Sequence, residues 1–184
     1  MDLLLDPAVV WTARLLLAAV LAVAALAKLR ALDEFVGVVH NYRILPEPLV
    51  RPLAYILPPV EAAIALGLLI EPARALAAGG AAALFAVFAL AMAVNILRGR
   101  LEIDCGCFAS SLKQRIGWAL VGRNLVLIGL AALVMPGALP ARAFTWLDAL
   151  TVVAASLAAV LLYLAFTQLR SLSPPGRPRS EGAA

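Results

Sequence analysis

"ARALAAGGAAALFAVFALAMAVNIL", Ala73 to Leu97, runs for 25 residues with a single charge, Arg74. Wound as an α-helix it reaches roughly 37 Å, enough to cross a hydrocarbon core about 30 Å thick. The rest of the chain is of the same kind. Of its 184 residues 64% are hydrophobic and 14% charged, and the mean hydropathy is +0.99, well above the balance of a water-soluble domain. Further apolar runs lie near Val9–Ala27, Pro52–Ile70, Trp118–Met135 and Ala143–Phe166. The expected fold is therefore all-α, an integral membrane bundle of four to five transmembrane helices, over residues 1–170. The tail at 171–184, "SLSPPGRPRSEGAA", is rich in Pro, Ser and Gly, lacks apolar periodicity and is expected to be disordered. The acidic start, Asp2 and Asp6, argues against a cleaved signal peptide at the first run.

Two segments modify this plan. "LRALDEFVGVVHNYRILPEPLVR" is too polar to span, but Phe35, Val38, Val39 and Tyr42 recur at helical spacing, as in an interfacial helix. "LPPVEAA" places Pro58 and Pro59 before Glu61, which makes the second run the weakest of the five expected spans, and its failure would move the loop after the third run to the other side of the membrane.

Basic residues are shared unevenly among the loops. Lys28, Arg30, Arg43, Arg51, Arg98, Arg100, Lys113 and Arg115 fall on one side of a five-helix plan, and the tail adds Arg170, Arg177 and Arg179; the other side holds only Arg74 and Arg142. The positive-inside rule then puts the N-terminus outside and the loop after the third run in the cytoplasm. The expected location is a bacterial inner or plasma membrane, crossed several times, with membrane lipid as the first partner. The net charge of +4 is a topological signal and calls for no nucleic acid.

That loop carries "DCGCF", Asp104 to Phe108, with the chain's only cysteines, Cys105 and Cys107. A structural zinc site wants four ligands and His40 is the sole histidine, so the chain alone cannot close one. Haem and iron–sulfur binding lack ligands as well, while palmitoylation stays open. Two readings remain. One is a pair of inert thiols, since free Cys behaves as a small apolar residue. The other is a redox dithiol, because bridging positions i and i+2 is geometrically difficult, and bridges left strained are the labile or catalytic ones. Gly106 eases the closure. Nearby Arg98, Arg100, Lys113 and Arg115 favour thiolate, Glu102 and Asp104 oppose it, and "SLKQ" matches a capping box with Ser111 and Gln114.

Charged and amide side chains within the runs are expensive and tend to be paired or to face a cavity. Counting along the helices allows Glu61 to meet either Arg123 or Arg14. Together with Asn95 and Asn124, Glu61 and Arg123 are expected to form a polar pocket beneath the cysteines. Two further function classes stand beside a redox protein: an assembly subunit using the small-residue face "AAGGAAA" at Ala77–Ala83, and a transporter built on a broken helix at Glu61.

Arg14, "AKL" at Ala27–Leu29, "YRILP" at Tyr42–Pro46, "EAAIALGLL" at Glu61–Leu69, and "DCGCF" followed by "GRN" at Gly122–Asn124 occur in that order. By these motifs the chain resembles the DoxX-like membrane proteins, and among them the MauE branch of methylamine utilisation proteins. The resemblance implies a bundle of four or five spans and a role in maturing redox proteins, with the disulfide-rich small subunit of methylamine dehydrogenase as the implied client. Cys105 and Cys107 match the family's cysteine pair. A chain with no second pair needs an external electron partner, a quinone or another carrier. With the loop in the cytoplasm the pair would receive electrons from a thioredoxin-like donor, and with the loop facing outward it would oxidise a client. No cofactor is evident, and no residue identifies a quinone site.

Overall fold

The computed structural model describes residues 6–101, 103, 116–135 and 145–172, and among them all regular structure is helical. The elements are α1 (Pro7–Arg30), α2 (Leu32–Tyr42), α3 (Glu47–Leu69), a short 3-10 turn (Glu71–Ala73), α4 (Arg74–Leu97), α5 (Trp118–Val134) and α6 (Trp146–Leu172). Four helices, α1, α3, α4 and α6, are long and apolar enough to cross a membrane, and α5, at 17 residues, is shorter. This is a multi-pass membrane bundle. Helix α2 is the expected intervening amphipathic helix, with Phe35 its buried residue.

Local chemistry sets the helix starts. Asp6 caps α1 by accepting the Ala8 N–H at 2.9 Å, and Pro7 follows where its missing N–H costs nothing. Thr145 and Asp148 cap α6 reciprocally: the Thr145 N–H donates to the Asp148 carboxylate at 2.8 Å and the Asp148 N–H to the Thr145 hydroxyl at 3.4 Å.

Helix α3 is continuous from Glu47 to Leu69 with Pro52, Pro58 and Pro59 inside it, so the weakest of the expected spans is long and apolar enough to cross a membrane. Each proline removes one ladder hydrogen bond, but membrane helices tolerate this where neighbouring elements cover the freed carbonyls. Pro58 and Glu61 are buried, on the side of α3 that carries Ala54, Ala65 and Leu68.

Helix α1 is central, in contact with α3, α5 and α6, while α4 packs most extensively on α5. Its buried stripe of Val10, Ala13, Leu17, Leu21, Ala24 and Ala25 recurs at three- and four-residue spacing. The core joins this stripe to Ala65 and Leu68 of α3, Phe85 of α4, and Leu127, Ala131 and Val134 of α5.

Part of the small-residue run of α4 is taken up within the bundle, while Ala83 stays exposed. Ala77, Ala78 and Ala81 are buried, and a Cβ on Gly80 would lie 3.4 Å from Ile64 Cδ1. The closest approach is at Gly67 of α3, where an added Cβ would meet the Ala77 Cβ at 2.9 Å. Both partners there are short and close to backbone. Gly67→Ala should therefore cost roughly 1–3 kcal/mol from overpacking despite alanine's better helix propensity. Unfolding of the purified protein in detergent would check it, and a stabilised variant would show that α3 and α4 can separate freely.

Candidate functional site

The end of the bundle from which the cysteine segment extends is built by the C-termini of α1 and α4 and the N-termini of α3 and α5. Cys105 and Cys107 themselves lie outside the described residues, as does the expected capping box at Ser111 and Gln114. The described part of α5 starts at Trp118, with Gly117 as an extended N-cap.

The approach to the cysteines is closely defined. Helix α4 ends in a left-handed turn at Gly99, φ +74°, a conformation that favours glycine. The Gly99 N–H donates to Ile96 O at 2.9 Å and the Arg100 N–H to Asn95 O at 3.0 Å, the paired bonds of a Schellman cap. This turn folds Arg100 back, so that its Nη1 donates to Asn95 Oδ1 at 3.2 Å and to Tyr42 O at 3.3 Å. Asn95 is fully buried, and its Nδ2 donates to Ala91 O at 3.1 Å. One asparagine thus ties the end of α4 to the end of α2 through Arg100.

Beyond this point the chain is pinned at Ile103, whose carbonyl accepts the Ile116 N–H at 3.0 Å. Both isoleucines are buried and packed with Ala89 and Met92 of α4 and Leu120 and Val121 of α5. Ile103 and Ile116, the described residues that flank positions 104–115, thus form a neck closed by one backbone hydrogen bond. Cys105 and Cys107 are two and four residues past Ile103, so chain length alone limits their Cα atoms to roughly 7 and 14 Å from it.

Asn124 lies one turn further along α5 from Leu120 and donates to that residue's carbonyl at 2.9 Å. Asn95 continues the buried stripe of Phe85, Ala89 and Met92 on α4, and Asn124 that of Leu120 and Leu127 on α5. The two amides thus belong to the α4–α5 seam near the neck. Arg123, half-buried, places its guanidinium carbon 5.5 Å from the Tyr163 ring of α6.

Glu61 has a partner that the loop count obscures. It is fully buried, and Lys28, 5% exposed, donates through Nζ to both carboxylate oxygens at 2.6 and 2.8 Å. Helical side chains tilt toward their own N-terminus. On antiparallel α1 and α3, Lys28 therefore leans into the bundle and Glu61 leans toward it. The ammonium also lies 5.3 Å from the Phe35 ring and 5.5 Å from the Phe88 ring.

Arg14 does not pair with Glu61 as the depth count allowed. Its Nε donates to Leu68 O at 2.9 Å and its Nη1 to Glu71 Oε2 at 2.6 Å, at the opposite end of the bundle. Leu68 follows Glu61 by seven residues, roughly 10 Å along α3, which a depth count without helix register cannot resolve.

Comparison with known proteins gives a consistent result. The family described as methylamine utilisation protein MauE matches residues 6–137. The methylamine utilization protein MauE of Paracoccus denitrificans is 47% identical over 175 residues, covering 94% of this chain and 92% of the relative. That of Methylophilus methylotrophus is 45% identical over 161 residues, covering 87% and 85%. The MauE of Paracoccus versutus is 46% identical over 142 residues, 76% of each chain. No solved structure matches.

Proposed function

The chain belongs to the MauE family of methylamine utilisation proteins, and from that premise we propose that it is a membrane accessory protein whose Cys105 and Cys107 exchange disulfides with a partner redox protein. The client implied by the sequence resemblance is the disulfide-rich small subunit of methylamine dehydrogenase. The wider likeness to DoxX-like proteins rests on the short motifs alone.

The observation that carries the reading is the neck. The only two cysteines sit within a few residues of a backbone clamp between Ile103 and Ile116, and Asn95 and Arg100 brace the chain just before it. Closing the base of the segment between Ile103 and Ile116 shortens the stretch of chain that docking to a partner has to order, which lowers the entropic cost of binding there. In the exchange, a client thiolate attacks the Cys105–Cys107 disulfide and forms a mixed disulfide. The second client thiolate then displaces the remaining cysteine. The client loses two electrons and two protons, and the cysteine pair leaves reduced.

The alternative of a non-enzymatic assembly subunit has less of the small-residue face of α4 to use, because Ala77 and Gly80 pack against Gly67 and Ile64 of the same chain, and Ala83 is what that run leaves exposed. Cys105→Ser should insert normally and abolish client oxidation, read as a mobility shift of the alkylated client. A double Cys105→Ser, Cys107→Ser variant that still matures its client would remove the redox role and restore the assembly reading.

A further inference from the structure

A groove of about 370 Å³ opens between α2, α3 and α4, within the size range of small-ligand sites. Its walls are almost wholly apolar, with Val39 of α2, Leu53 and Leu57 of α3, and Val87 and Phe88 of α4 among them. Lys28 also lines it, but its ammonium is bound to both carboxylate oxygens of Glu61, so that charge is already matched inside the bundle. Leu53 and Val87 are exposed on the outer surface, which leaves the groove open sideways to the bilayer.

Charge gathers at one end of this groove. Tyr42, Ile44 and Leu45 line it where the chain passes from α2 to α3, and Arg43 stands between the first two. Arg98, just past the end of α4, brings its Nη1 to 3.4 Å from Arg43 O. Both arginines are exposed. Glu47, the acidic residue of this connection, is turned to His40, 3.2 Å away. An apolar trough that opens to lipid and ends beside two guanidiniums matches the two halves of an anionic phospholipid. The acyl chain suits the walls, and arginine donates to phosphate oxygens through its planar fork. A zwitterionic lipid would fill the walls equally well but brings a headgroup without net charge.

We propose that the groove binds one anionic phospholipid, with an acyl chain between α2 and α4 and the headgroup phosphate on Arg43 and Arg98. The inference does not depend on the redox reading of Cys105 and Cys107. Its consequence still reaches the neck, because Tyr42 and Met92 line the groove and also pack in the cluster that holds Ile103 and Ile116. Tyr42 O accepts from Arg100 as well. A lipid seated here ties the end of α2 to the end of α4 beside the neck, and binding to the folded bundle alone stabilises that arrangement.

The test uses the full chain, delipidated in detergent, and a phosphatidylglycerol that carries a diazirine on its acyl chain, with adducts mapped by mass spectrometry. Adducts should concentrate on α2 and α4 around Val39 and Val87, and unlabelled phosphatidylglycerol should displace the probe where phosphatidylcholine does not. Arg43→Gln combined with Arg98→Gln should weaken probe binding about thirtyfold, the scale of two basic residues at an anionic lipid surface. Arg177→Gln combined with Arg179→Gln removes the same charge from the tail and should leave binding unchanged. Val39→Trp fills the groove from α2 and should remove the adducts on α4. The arginine pair, being exposed, keeps the test decisive if that variant fails to fold. Adducts as dense on the exposed Val153 and Leu157 of α6 as in the groove would overturn the site, and an equal loss in the tail variant would reduce it to general charge attraction. Displacement by phosphatidylcholine as effective as by phosphatidylglycerol would refute the headgroup assignment and the proposal with it. Equal displacement by oleate would give the groove to a free fatty acid, and labelling that appears only after a dimer is dissociated would give this face to a second copy.

Discussion

Lys28→Met should destabilise the bundle by roughly 3–5 kcal/mol, the usual cost of removing one member of a buried ion pair. The carboxylate left behind, Glu61, has no exposed surface. Two of its hydrogen bonds come from Lys28 Nζ, and it stands among apolar residues of α3 that include Ala54, Ala65 and Leu68. Removing both charges is a different experiment. Replacing a buried pair by apolar residues of similar size is often neutral, so Lys28→Met with Glu61→Leu should recover most of the loss. Thermal unfolding of the four proteins of this cycle in detergent would measure the coupling. Single variants as stable as the natural protein would show that water reaches Glu61. A double variant no better than Lys28→Met would show that the apolar replacements do not fit.

This pair marks the boundary of what the sequence discloses. The spans are legible because length and hydropathy are properties of one helix at a time, and Val9–Ala27 or Ala73–Leu97 can be read without knowing any neighbour. The amphipathic α2 is legible on the same ground, from Phe35, Val38, Val39 and Tyr42. Pairing depends on register and tilt between helices 33 or 57 residues apart in sequence, as for Lys28 with Glu61 and Arg14 with Glu71. Two residues before Arg30, Lys28 looks like another flanking charge. One signal did separate them: Arg14, Leu21 and Lys28 recur every seven residues along the buried stripe of α1, whereas Arg30 leaves it. A cation in phase with an apolar stripe is a better candidate for a buried pair than its nearness to the loop suggests.

The candidate site was legible in part. Asn95 and Asn124 stand out in the sequence as amides inside apolar runs, and both are buried near the neck. Their roles were less evident. Asn95 acts through Arg100, which enters the sequence reading only as one of four basic residues around the cysteines. Gly99 links the two, because its positive φ lets the chain reverse and return Arg100 to Asn95. The neck itself is a contact between isoleucines thirteen positions apart. No local pattern in the sequence encodes it.

At the other end of the bundle, Arg14→Met should lower stability by about 2–4 kcal/mol, more than Glu71→Gln does. Arg14 is fully buried. It donates through Nε to Leu68 O, one of the last carbonyls of α3 and so without a partner in its own helix, and its guanidinium carbon lies 3.9 Å from the centre of the Trp11 ring. A hydrogen bond from a charged donor contributes roughly 1.5–3 kcal/mol and a cation–π contact about 0.5–1 more. The ion pair with Glu71 adds little, because that side chain is 57% exposed and solvent-screened pairs contribute about 0–1 kcal/mol. Arg14→Lys should fall between, keeping the charge but losing the planar group that can donate to Leu68 O while lying over Trp11. The loss should concentrate at the α3–α4 connection, with faster amide hydrogen exchange at Ile70 and Ala73, whose N–H groups close that turn. If Glu71→Gln proved as costly as Arg14→Met, the ion pair rather than the helix cap would be what Arg14 supplies.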